Sequence, residues 1–150
     1  LGRADNPELP KIYRALNWDQ VREMAASGLV TFGSHTHSHV ILGRAAPDVI
    51  RHELSESRSR IERETGCPCH HFCYPNGAAG DFSDTSEHIL REMSFRSSIL
   101  ASGGFNCIPS PPYVLNRLGM TNDLRPVQFE QYFSLGDPSF RGLFQSFFHR

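Results

Sequence analysis

Along this chain the apolar positions change period several times, and a capping or turn residue marks each change. Asn17 stands where a helix N-cap belongs, Gln20 fills the reciprocal capping-box position, and Leu16 and Val21 flank them as a hydrophobic staple. The helix they start ends near Gly28, a residue suited to the left-handed C′ position. Leu29-Val30-Thr31-Phe32-Gly33 then reads as a short apolar strand. Pro47 opens a second helix with Asp48 in its first turn. Ile50, Leu54 and Ile61 keep its apolar phase, and Arg51, Glu53, Glu56, Arg58, Arg60, Glu62 and Arg63 are expected on its other faces. Gly66 and Pro68 stop it.

A second strand, His71-Phe72-Cys73-Tyr74, runs into the turn signal Pro75-Asn76-Gly77. Asp84-Thr85-Ser86-Glu87 has the form of a capping box for a helix reaching about Met93. Phe95 to Leu100 and Tyr113 to Leu118 complete the strand candidates. Helix, strand, helix, strand, helix, strand is the order of an α/β chain with mainly parallel strands. Beyond position 125 the character changes. Phe129, Tyr132 and Phe133 fit one helical face, and Phe140, Leu143, Phe144, Phe147 and Phe148 recur at i, i+3, i+4, i+7 and i+8. The chain thus divides into residues 1–125 and a Phe-rich helical tail, 126–150, expected to pack on its own domain.

Composition narrows the function classes. The 150 residues are 39% apolar and 21% charged, enough for one ordinary core. A net charge of -1 argues against broad electrostatic capture of nucleic acid or anionic lipid. No apolar run is long enough to span a bilayer. The chain opens on Leu1 rather than Met, so an upstream segment is expected. Four cysteines are too sparse for a disulfide scaffold.

Two stretches carry candidate chemistry. Phe32-Gly33-Ser34-His35-Thr36-His37-Ser38-His39 places three of the eight histidines directly after a strand candidate. Extended, all three would share one face; in a helical turn only His35 and His39 would. Either geometry offers two imidazoles to a divalent ion such as zinc, and a solvated polar loop is the alternative. Functional groups of α/β folds gather beyond the C-terminal ends of strands, which favours the metal reading. Phe72 to Gly77, "FCYPNG", lies at a second strand end; it is a tight turn, or a rigid loop presenting backbone N–H groups to a developing oxyanion.

Taken in this order, "FGSHTHSH" and "FCYPNG" resemble the polysaccharide deacetylase family, also called NodB homology or carbohydrate esterase 4. "WDQVREMAASG" and "LNRLGM" are similar to its flanking elements, so the resemblance covers roughly Leu16 to Thr121. It implies a partial, distorted (β/α) barrel lacking its N-terminal strands, and metal-dependent removal of acetyl from an N-acetylated poly- or oligosaccharide. By the same resemblance His35 and His39 would be metal ligands, with zinc the expected ion and His37 a bystander. Tyr74, Pro75, Asn76 and Gly77 would lie against the substrate acetyl, and the cell envelope or periplasm would be the setting.

The departures are equally informative. The family carries an early Thr-Phe-Asp-Asp-Gly strand end, whose aspartates supply the general base and the third ligand. This chain has no Asp-Asp pair, and only residues 1–34 precede His35. The general base is therefore absent from the chain, and a missing N-terminal segment or a partner chain would have to complete the barrel. Cys73 stands where many members carry an arginine; Arg117 either supplies a substitute guanidinium or is a strand-end surface residue. "CPCHHFC" offers Cys67, Cys69, His70, His71 and Cys73 to a structural zinc, although Cys-x-Cys spacing without a second knuckle is atypical. Besides a deacetylase, inactive or weak as it stands, the chain is thus compatible with a non-catalytic carbohydrate-binding domain or a zinc-stabilised interaction module.

Overall fold

The computed structural model describes residues 15–78, 80–104, 106, 109–117 and 125–127. Local signals place its helices closely. Asn17 caps α1 (Trp18–Ala26) through a full capping box with Gln20, and Gly28 takes φ +70° just past its end. Pro47 opens α2 (Pro47–Thr65), and Gly66, left-handed at φ 69°, closes it. Ser83, not Asp84, caps α3 (Asp84–Glu92), with Ser86 rather than Glu87 completing the box. Asp84 and Ser83 both suit an N-cap by residue type, but only Ser83 has the extended backbone the position requires, so the helix is capped one residue earlier than the pattern predicts.

Three parallel strands form the sheet in the order β1 (His71–Cys73), β2 (Ser97–Gly103), β3 (Leu115–Arg117). Cys73 aligns with Ile99, and Ile99 with Leu115; β2 then bulges before Gly103 meets Arg117. Several strand expectations need correction, the last strand opening at Leu115 rather than Tyr113. The third strand starts at Ser97 rather than Phe95, because Phe95 turns inward as a core residue, 1% exposed. Residues 29–33 do not form a strand. They run beside β1 but join it only at the single parallel bridge Ser34–Phe72, and Leu29 stays 90% exposed.

The core lies between the sheet and the pair α2 and α3. Phe72 and Tyr74, alternate residues of one pleat face, meet Leu42, Ile50, Leu54, Ile89, Leu90 and Phe95. The Phe72 ring sits edge-on to both Tyr74, at 5.1 Å, and Phe95, at 6.0 Å. Arg58 joins this core rather than facing solvent: its guanidinium covers the Phe95 ring at 3.7 Å and donates to the Met93 carbonyl. Glu53, also expected on an outer face, is 5% exposed on the inner one. No helix among the described residues is long and apolar enough to cross a membrane. The Phe-rich tail beyond Val127 lies outside the described residues, as does Cys107.

Leu54 is fully buried between α2 and the sheet. Leu54→Ala should lower the unfolding free energy by about 2–5 kcal/mol. In urea this appears as a lower midpoint at unchanged slope; an unchanged midpoint would remove Leu54 from the core.

Candidate metal centre

Parallel strands put all their C-terminal ends on one side, and the candidate residues gather there. Ser34 anchors the histidine segment: its N–H donates to the His71 carbonyl and its carbonyl accepts from Cys73 N–H, both at 2.8 Å. Its buried hydroxyl donates to Ser57 of α2 at 2.9 Å. His35 therefore emerges beside the end of β1, where its Nδ1 lies 2.7 Å from the Cys73 carbonyl. A carbonyl oxygen only accepts, so Nδ1 carries the proton, which in the neutral ring leaves the lone pair on Nε2. That is the tautomer a metal-ligating imidazole needs, and the carbonyl is the usual kind of partner for its second nitrogen.

From His35 the chain turns sharply. Thr36 and His39 adopt φ 65° and 63°, conformations that cost non-glycine residues on the order of 1–3 kcal/mol each. The turn brings the His39 ring to 4.9 Å from that of His35, at an interplanar angle of 75°. An ion about 2.1 Å from each imidazole nitrogen lies about 3.2 Å from each ring centre, so bond angles of roughly 90–109° space the centres about 4.5–5.2 Å apart. The observed pair falls inside that range, so the two rings stand close enough to serve two positions of a zinc site. Among the described residues no group of three His, Cys, Asp or Glu is placed to hold an ion, so the fit stops at two ligands.

Glu53 supports this turn from beneath. One carboxylate oxygen accepts from the N–H groups of His37 and Ser38 at 2.8 and 2.7 Å, and the other accepts from the Ser38 hydroxyl at 2.6 Å. Burial raises its pKa, but the bonds from the Ser38 side chain and from the Ser38 and His37 backbones outweigh that effect and hold it below the ordinary 4.5. Charge-assisted bonds of this kind contribute about 1.5–3 kcal/mol each, enough to offset the backbone strain of the turn. Sequence reading missed Glu53, and a signal was available. Position 53 lies on the helical stripe of Ile50, Leu54 and Ser57, and a carboxylate on a buried stripe needs donors.

The 74–77 loop follows the Cys73 carbonyl directly. Tyr74 is packed in the core, its N–H donates to the Ile99 carbonyl at 2.9 Å, and burial pushes its phenol pKa up. Pro75 has no N–H, and Gly77 N–H closes a tight three-residue turn onto the Pro75 carbonyl at 2.7 Å. Asn76, exposed at φ 61°, is left with the one loop N–H that has no partner among the described residues. Gly77 is demanded by close approach as well as by φ 66°, since a Cβ there would sit 2.1 Å from the Ala101 nitrogen in the β2 bulge.

Arg117 ends β3, exposed, at the same end of the sheet. With β2 between them, its backbone stands two strand spacings, about 9.6 Å, from the β1 row. The cysteine cluster is dispersed: Cys67 is exposed, Cys69 is buried, and Cys73 is half-buried behind the His35 carbonyl contact. Beside the histidines a cavity of about 500 Å³ opens, lined by His35 and His37 on one side and by Trp18, Glu56, Arg60 and Arg63 on the other.

Two outcomes follow from this geometry. Gly77→Ala should lower the thermal midpoint through the clash with Ala101 and loosen the 74–77 turn; an unchanged midpoint would contradict the close approach. For Glu53, a depressed folded pKa means its stabilisation is complete above the unfolded value of 4.5 and is lost as pH falls through the folded one. Urea titrations across that window should show the parent losing stability on acidification more steeply than Glu53→Gln, and equal acid limbs would sink the claim.

Comparisons with known proteins agree with this architecture. The sequence matches the polysaccharide deacetylase family over residues 5–98, more than half of the chain. No functionally curated protein matches it. Among solved structures, the deacetylase PplD of Streptococcus pyogenes, in complex with acetate, superposes with a TM-score of 0.71 at 23% identity, over 79% of this chain and 51% of that one. A polysaccharide deacetylase from Bacillus cereus gives 0.67 at 21% identity, over 81% and 37%. A de-N-acetylase from Aggregatibacter actinomycetemcomitans gives 0.63 at 19% identity, over 83% and 58%. The likeness is one of fold, and the chain spans between about a third and three-fifths of those proteins' length. An α/β chain with a parallel sheet and this coverage holds part of the NodB-type barrel. It belongs to the polysaccharide deacetylase family.

Proposed function

We propose that this chain carries the two-histidine and oxyanion portion of a metal-dependent N-deacetylase acting on an N-acetylated poly- or oligosaccharide. One observation supports this above the others: His35 and His39 are turned to 4.9 Å, with His35 Nδ1 committed to a backbone carbonyl. His35 and His39 would hold the ion through neutral imidazole, which suits zinc. Bound there, zinc supplies Lewis acidity toward an acetyl carbonyl and a more acidic water. Asn76 N–H, unpartnered among the described residues in the 74–77 turn, is the donor this reading assigns to the oxyanion that develops as water adds. Arg117, exposed at the end of β3, is the guanidinium this reading assigns to orienting a carboxylate base.

The third ligand and the base are carboxylates from outside the described residues. Ser34 uses its N–H and carbonyl toward β1, so in a parallel register Gly33 and His35 direct theirs to the opposite side. A strand joining that side, from an N-terminal segment or a partner chain, would bring an acid next to His35. A second reading is favoured by the lack of any Asp-Asp pair in the 150 residues: a non-catalytic domain that keeps the carbohydrate cleft.

The chain alone should bind zinc weakly and show no turnover on an acetylated chitooligosaccharide with zinc or cobalt added. His35→Ala and His39→Ala should each weaken zinc binding by more than the roughly tenfold that outer-shell changes already cost. Turnover by the chain alone would show that it holds its own base. Sugar binding that survives the double histidine substitution without zinc would favour the second reading.

A further inference from the structure

Four residues of extended chain would separate His35 from His39 by about 13 Å. Their rings instead meet at 4.9 Å, so something must hold residues 35–39 in a turn. The turn's own backbone opposes it, because Thr36 is β-branched at φ 65° and His39 sits at φ 63°. Ordinary secondary structure does not hold it, since among the described residues the only ladder contact nearby is the bridge at Ser34. Two of the three residues inside the turn, His37 and Ser38, instead bond to a single side chain from the middle of α2.

We propose that Glu53 is a positioning residue for the histidine pair. It gathers the His37 and Ser38 N–H groups and the Ser38 hydroxyl onto one carboxylate, and so sets the distance between His35 and His39. The proposal rests on the reading of those histidines as metal ligands. Three features suit Glu53 to the task. It is 5% exposed, so water competes poorly for its lone pairs. It projects from a helix whose neighbours Ile50 and Leu54 are fully buried, so its base does not move. Both of its oxygens are occupied by the turn, which leaves it a support for ligands rather than a ligand.

The chemistry of the contact separates bonding from charge. In Glu53→Gln the amide oxygen can still accept from both N–H groups, while the amide nitrogen donates to the Ser38 hydroxyl, which can accept as readily as donate. In Glu53→Ala all three bonds vanish. Zinc titration by calorimetry on the full chain, with hydrogen exchange at the His37 and Ser38 amides as a metal-free readout, tests this directly. Glu53→Ala should weaken zinc binding about 10–100-fold and speed exchange at both amides. Glu53→Gln should stay close to the parent in both measurements. Ser38→Ala, on an exposed residue that cannot endanger folding, should fall between them.

A folded Glu53→Ala that binds zinc as the parent does, while His39→Ala does not, overturns the positioning role and leaves the metal reading standing. If His39→Ala also binds as the parent does, the metal reading itself has failed. Should Glu53→Ala not fold, Ser38→Ala decides, and unchanged zinc binding and amide exchange there overturn the proposal. A glutamine variant as weak as the alanine one overturns the hydrogen-bonding account.

Discussion

The candidate centre depends on one backbone contact, the bridge between Ser34 and β1. Two hydrogen bonds of 2.8 Å fix this residue in parallel register with Phe72, and a third bond ties its hydroxyl to Ser57 of α2. Because Ser34 is held from both the sheet and the helix, His35 has little choice of position. Its imidazole falls beside the Cys73 carbonyl, and the tautomer follows from that carbonyl's inability to donate. A slip of one residue would put Gly33 or His35 in the bridge and direct the imidazole to the other side. The small residue before the anchor has its own cause, as a Cβ on Gly33 would come within 3.0 Å of the His71 carbonyl.

Strain is concentrated at the same end of the sheet. Thr36, His39 and Asn76 are three of the four non-glycine residues with positive φ among those described, and all three lie in the two loops beside Cys73. Each loop is braced by a group from a regular element. Glu53 of α2 holds the first, and the β2 backbone at Ala101 presses against Gly77 in the second. Strain of this kind persists only where surroundings over-determine the backbone, and it accumulates where side chains or N–H groups must point in directions regular structure does not offer. The core beneath, Phe72 and Tyr74 against Ile50, Leu54 and Leu90, supplies the rigidity both braces require.

The sequence made the helices and the parallel order legible because their signals are local. Asn17 with Gln20, Pro47 and Gly66 each act within one turn of themselves, and all three appear in the structure as read. The histidine pair was legible as well, since His-x-x-x-His needs only a turn to bring its ends together. What escaped depended on contacts remote in sequence. Glu53 reads as one more charge on a highly charged helix, and only the loop 15 residues earlier reveals that both its oxygens accept hydrogen bonds. Residues 29–33 have the apolar composition of a strand, but a strand is defined by its partner, and β1 meets this segment at a single residue. Arg58 escaped for the same reason, its cover over Phe95 coming from a residue 37 positions away (95 − 58).

On the proposed reading, the incomplete donor set has a direction as well as a count. The acid nearest the histidine turn along α2 is Glu53, and its oxygens are taken by the turn itself. Beside the turn, β1 and its loop present a carbonyl, a half-buried thiol and an N–H at Asn76, none of them a hard anionic ligand. Among the described residues Glu56 shares the cavity beside His35 but is not grouped with both histidines, and the side that β1 leaves open, where Gly33 and His35 turn their backbone groups away from the sheet, offers a carboxylate its approach. A strand arriving there would gain ladder bonds and deliver its side chains beside Nε2 of His35 in one step. Completion of the barrel and completion of the metal site would then be a single event, and zinc affinity would report on strand docking as directly as it reports on the ligands.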